Sequence, residues 1–128
     1  MTDSSVPEPE EVNKLHDHVK PIADEVVIKK HFPNSFRHST LLNELRKAGI
    51  KNLVICGMMT HMCVDATVRA ACDYGFDCTV IADACTTKDL TFHDKTISAE
   101  HVQAAFLASL DGWYGKVLTT EQYVSLHI

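Results

Sequence analysis

The chain has 128 residues, about one domain, and 45% of them are apolar, which excludes a disordered or collagen-like polypeptide. Twelve Lys and Arg against seventeen Asp and Glu leave a net charge of −5, so there is no basic surplus to neutralise phosphates and nucleic acid is not an expected partner. No apolar run has the length of a membrane span and the opening is polar where a signal peptide is apolar, so no membrane partner is expected and the expected location is cytoplasmic.

Residues 1–20 read as a polar tail or linker, with Pro7, Pro9 and a run of glutamates; the α/β domain is expected over 21–128. Within the tail, His16-Asp17-His18 reads as a solvated stretch rather than a metal site. The run Glu25 to Lys29 is expected to be a short buried strand, followed by a proline-broken loop from His31 to Phe36. Ser39 or Thr40 then caps a helix with Leu41, Leu42, Leu45 and Ala48 at helical spacing and Gly49 as its stop.

Asn52 to Cys56 is an uninterrupted apolar run, which suits a parallel strand covered on both faces and ended by Gly57. Thr60 is placed as N-cap of a helix to about Tyr74, with Val64, Val68, Ala71 and Cys72 inward, Gly75 as its stop, and Arg69 pairing with an acid such as Asp65 at i−4. Asp77 to Ala82 is a third strand, 83–97 a long polar loop, Ser98 to Leu110 a helix with Val102, Ala105, Phe106 and Leu110 inward, and Lys116 to Thr119 a last short strand. Strands alternating with helices define an α/β fold, a parallel sheet with helices on both faces and right-handed crossovers, here with about four strands.

Cys56, Cys63, Cys72, Cys78 and Cys85 are odd in number and lack both C-x-x-C and zinc spacing, so they read as reduced thiols. In open parallel sheets ligands bind beyond the carboxyl ends of the strands. There, with Thr60 as N-cap, Cys63 falls at N3, where unsatisfied backbone N–H groups and the helix dipole favour a thiolate and can hold an oxyanion. Lys30 follows the Val26-Val27-Ile28 run at the same sheet edge. The methionines 58, 59 and 62, Phe36 and Trp113 are each placed either to line a pocket or to fill core, and His31 and His61 read as substrate-facing or solvated loop side chains.

Two segments together resemble the isochorismatase-like cysteine hydrolases. In the first, a strand is followed by Lys30 and, six residues later, an aromatic, Phe36; in the second, a strand runs into G-x-x-T-x-x-C-V, matched by Gly57, Thr60, Cys63 and Val64. Thr67 to Ala71, Gly75, Thr79 to Ala82 and Asp83-Ala84-Cys85 agree in order and spacing, so the resemblance spans roughly Pro21 to Val124.

It implies a Rossmann-like three-layer fold with strand order 3-2-1-4-5-6; no cofactor or metal is expected for this chain. It also implies hydrolysis of a C–N or related bond in a small-molecule substrate. By the resemblance Cys63 is the nucleophile and Lys30 steadies the charges beside it. The amides of Met59 and Cys63 form the oxyanion hole, Met58–Met59 is a cis bond, and Phe36, Thr60 and His61 are substrate-pocket candidates.

The family's aspartate, at the end of the first strand, has no counterpart: Asp3, Asp17 and Asp24 all lack a preceding apolar run. Strands one and two of the fold are therefore expected to be missing. Either the Glu25–Lys29 strand pairs directly with Asn52–Cys56, another chain fills the gap, or the sequence is a fragment. His31 or His61 could then serve as base. The alternative function is a non-catalytic remnant of the fold acting through self-association, as a homo-oligomer, or through a partner chain.

Overall fold

The computed structural model describes residues 15–128; most of the expected tail, up to residue 14, lies outside the described residues. The described part opens with one tight helical turn at Asp17–Val19, fully on the surface, where Lys20 pairs with Asp17 at 2.7 Å. Among the described residues no three His, Cys, Asp or Glu side chains are grouped to hold an ion.

The regular elements are α1 (Leu41–Lys47), β1 (Asn52–Met58), a π-helical turn (Thr60–Val64), α2 (Asp65–Asp73), β2 (Asp77–Thr86), β3 (Leu90–Phe92), β4 (Lys95–Ile97), α3 (Ala99–Leu110), β5 (Lys116–Leu118) and α4 (Thr120–His127). β1, β2 and β5 form a parallel three-stranded sheet with β2 in the middle. β3 and β4 pair antiparallel as a separate hairpin.

The central place of β2 explains its burial. Cys78 and Val80 project into the main core, and Ile81 is buried as well, so this strand alone is covered along both faces. α2 lays Val68 and Ala71, both wholly buried, against Val80, Phe76 and Cys78, and α3 closes the cluster with Leu110. Each such aliphatic side chain contributes about 1.5–3 kcal/mol by leaving water. Gly49 at φ +68° and Gly75 at φ +92° end α1 and α2 in the left-handed region, as their spacing predicts. Arg69 Nε reaches both carboxylate oxygens of Asp65 at 3.0 and 3.1 Å, the pair expected at i−4, and its guanidinium also lies over the Tyr114 ring.

Several sequence expectations need correction. Glu25–Lys29 belongs to no strand, and Val26 and Val27 stand 69% and 60% exposed, so the buried first strand does not form. A β-branched run becomes a strand only where a neighbour takes its backbone groups, and among the described residues β1 pairs with β2 alone. The sheet therefore has three strands rather than four. For the same reason β1 is covered on one face only: Leu53 and Ile55 meet the core while Val54 is half exposed.

The expected loop over 83–97 is instead the far end of β2 followed by the β3–β4 hairpin, with His93 at φ +54° in its turn. Within α3, Ala105 faces solvent and Gln103 turns inward. α4 was not expected; its capping box joins Thr119 and Gln122, and the Asp83 carboxylate accepts from the Thr120 amide at 2.8 Å. Those hydrogen bonds hold the Asp83 carboxyl below its usual range.

Candidate active site

β1 ends at Met58, the Met58–Met59 bond is cis, and the chain turns at once into a π-helical turn. Met59 occupies the N-cap position, so Thr60 is the first residue of the turn rather than its cap, and Cys63 is the fourth rather than the third. The amides of Met62 and Val64 both donate to the Met59 carbonyl, at 3.0 and 3.3 Å, on either side of Cys63. A wide first turn of this kind places the Cys63 side chain and the amides around it at the mouth of the sheet.

In front of this turn is a cleft of about 140 Å³ lined by Lys30, Ser35, Ile55, Cys56, Gly57, Met58, Cys63, Val64 and Thr67. The cleft brings together Lys30 and Cys63, which are 33 positions apart in the chain. Cys63 is half-buried and Lys30 exposed, with its Nζ donating to the Pro33 carbonyl at 2.9 Å. Met58 adds a flexible apolar wall, 65% exposed.

The loop that carries Lys30 is fastened to α2. The Ser35 amide donates to Thr67 Oγ1 at 3.0 Å, and the Thr67 hydroxyl lies 3.0 Å from Ser35 Oγ and 3.3 Å from the Pro33 carbonyl. Within the loop, Asn34 Oδ1 accepts from the Phe36 amide at 2.9 Å, an Asx turn that fixes the path from Pro33 to Phe36. Thr67 thus couples the lysine to the helix that follows the cysteine. In sequence Thr67 stands only as the start of a matching stretch, because a threonine on a helix carries no local signal of a partner 34 positions away.

Three pocket candidates lie elsewhere. Phe36 is 6% exposed and belongs to the core, with its ring 5.2 Å from that of Tyr74 and 6.1 Å from that of Phe76. Thr60 is wholly buried; its hydroxyl is 2.6 Å from Gln103 Oε1 and 3.2 Å from the Thr86 carbonyl. His61 turns toward Thr87, with Nδ1 2.7 Å from Oγ1, and toward the edge of the Phe106 ring. None of the three lines the cleft: aromatic neighbours hold Phe36, carbonyl oxygens of Gln103 and Thr86 hold Thr60, and the Thr87 hydroxyl and Phe106 ring hold His61. His31 is exposed and also outside the cleft lining, so neither histidine stands there as a base. Trp113 is 85% exposed and fills neither pocket nor core.

No carboxylate is among the described residues lining the cleft. The remaining thiols differ in setting. Burial pushes the Cys78 thiol up to about 11, with Cys72 and Asp77 adding to the effect. Burial also raises Cys85, partly offset by the Gly57 amide. Among the described residues no helix is long and apolar enough to cross a membrane.

A parallel α/β sheet whose edge strand β1 runs into a thiol-bearing turn, with a lysine loop meeting that turn in one cleft, has the fold of the isochorismatase-like proteins. The crystal structure of an isochorismatase from Pseudomonas putida KT2440 superimposes with a TM-score of 0.80 at 36% identity, over 84% of this chain and 56% of that one. The isochorismatase domain model matches residues 2–122, and this chain belongs to the isochorismatase family.

Among its relatives, the uncharacterized isochorismatase family protein YddQ of Bacillus subtilis (strain 168) is 50% identical over 111 residues, 87% of this chain and 62% of that protein. The ureidoacrylate amidohydrolase RutB of Caulobacter segnis is 30% identical over 110 residues, 86% of this chain and 42% of that protein. The chain thus spans about three-fifths or less of the length of these relatives.

Proposed function

We propose that the chain is a cysteine hydrolase that cleaves a C–N bond, amide-type or related, in a small molecule through the Cys63 thiolate. The observation that carries this reading is the meeting of Cys63 and Lys30 in one cleft at the carboxyl end of β1. Family membership and a relative that is an amidohydrolase support it.

In the proposed reaction the sulfur of Cys63 attacks the carbonyl carbon and the C=O electrons move onto oxygen, where the amides of Met59 and Cys63 receive the charge. The tetrahedral adduct collapses with cleavage of the C–N bond. The departing nitrogen takes a proton, and the Lys30 ammonium, the cation among the described residues lining the cleft, is the group placed to supply it. Water then cleaves the thioester, releasing the acid and restoring the thiol. The non-catalytic alternative is not favoured, since both signature side chains share the cleft.

The test is acid quench of the chain mixed with a panel of small primary amides and ureido acids, followed by mass analysis of the Cys63 peptide and assay of released ammonia. An acyl adduct on Cys63 that vanishes in Cys63→Ala together with ammonia release is the expected result. Undiminished hydrolysis by Cys63→Ala would remove the assignment.

A further inference from the structure

We propose that Gln103, on α3, is a positioning residue: it ties the turn bearing Cys63 to the irregular end of β2 and so sets where the thiol stands in the cleft. This rests on the reading of Cys63 as the nucleophile.

The Gln103 side chain bridges three segments. Its Nε2 donates to the carbonyls of Ala82 and Cys85, at 3.2 and 3.1 Å, and its Oε1 lies 2.6 Å from the Thr60 hydroxyl. Carbonyls only accept, so the amide nitrogen must face Ala82 and Cys85, and the amide oxygen is thereby aimed at Thr60. The Thr60 hydroxyl has one proton and two acceptors in reach; Gln103 Oε1 at 2.6 Å takes it in preference to the Thr86 carbonyl at 3.2 Å.

Two features make this bridge specific to the site. Ala82 and Cys85 lie on the stretch of β2 where its register with β1 shifts, between the Ile55–Val80 and Gly57–Cys85 pairs, so the ordinary ladder is interrupted there. Thr60 is wholly buried, so water cannot replace a lost partner. It is also the first residue of the π-helical turn, three positions before Cys63. Gln103 itself does not line the cleft, and its effect on Cys63 is transmitted through Thr60.

The experiment alkylates the full chain with iodoacetamide and reads, peptide by peptide, the ratio of the Cys63 rate to the Cys56 rate. Both thiols line the cleft, so general loosening cancels in the ratio. Gln103→Met keeps length and removes the hydrogen bonds; Thr60→Val removes the hydroxyl and Thr60→Ser retains it.

The ratio is expected to change about tenfold in Gln103→Met and in Thr60→Val, since reagent access to Cys63 and the amides facing its sulfur both depend on where the turn stands. It should stay within about twofold in Thr60→Ser and in Leu110→Ala, which lowers stability without touching the bridge. If Gln103→Met does not fold, the two Thr60 variants decide. A ratio unmoved in Gln103→Met or Thr60→Val, or moved equally by Leu110→Ala, overturns the proposal. The ratio is readable whether or not the chain hydrolyses a given amide, whereas failure of the nucleophile reading shows as hydrolysis undiminished in Cys63→Ala.

Discussion

Alkylation of the native chain at neutral pH should rank the five cysteines by place in the fold. The thiolate is the reacting species, so ionisation and access both count. Cys78 is 6% exposed and its thiol is pushed up to about 11 by burial. At neutral pH about one Cys78 in 10,000 is then ionised, against about one in 100 for a thiol at the ordinary 9.0, a handicap of about 100-fold before access is counted. Cys85, 9% exposed and shifted in the same direction, joins it in the slow class. Cys56 is exposed and Cys72 half-buried, so both should react at intermediate rates, and Cys63, in the open turn, fastest. Peptide mapping after timed iodoacetamide exposure reads all five rates in one sample, and concentrated guanidinium should bring them within a few-fold of one another. A native Cys78 rate within tenfold of that of Cys56 would refute the burial of β2. A Cys63 rate no higher than that of Cys56 would count against an activated thiol in the turn.

Leu110→Ala, at a wholly buried site closing the core, should cost about 3–4 kcal/mol and lower the urea midpoint with the slope unchanged; a loss under about 1 kcal/mol would contradict its packing. Cys78 also makes stability depend on alkaline pH. Its thiol rises from an ordinary 9.0 to about 11, so between those values the unfolded chain has lost a proton that the folded chain still holds, and stability falls as pH rises. The expected fall is about 2 kcal/mol over that window, read by urea melts, and Cys78→Ala should abolish it. Lys30→Ala, at an exposed position, should change stability by under about 0.5 kcal/mol while lowering hydrolysis about tenfold or more; turnover equal to that of the parent would take Lys30 out of the chemistry.

Much of this was written in local pattern. The apolar run at Asn52, the alternation through Cys78 and Val80, the helix capped by Ser98 and the glycine stops at 49 and 75 depend on neighbours a few residues away, and each formed where expected. The order of strands and helices therefore sufficed for the parallel α/β class, whereas Lys30 reaches the cleft through the contacts of Ser35 with Thr67 and not through the strand expected before it. Tertiary structure decided the rest, because it depends on partners distant in sequence. Val26 and Val27 have strand-forming side chains yet stay unpaired, since a strand is a property of two segments. Phe36 faces Tyr74 and Phe76 instead of the cleft because an aromatic goes where apolar surface awaits it. Thr60 reads as a helix cap in sequence, a role in which its oxygen would accept from a backbone amide, but Met59 takes the cap position and the Thr60 hydroxyl donates to Gln103, 43 positions on, a partner that only the folded core brings to it.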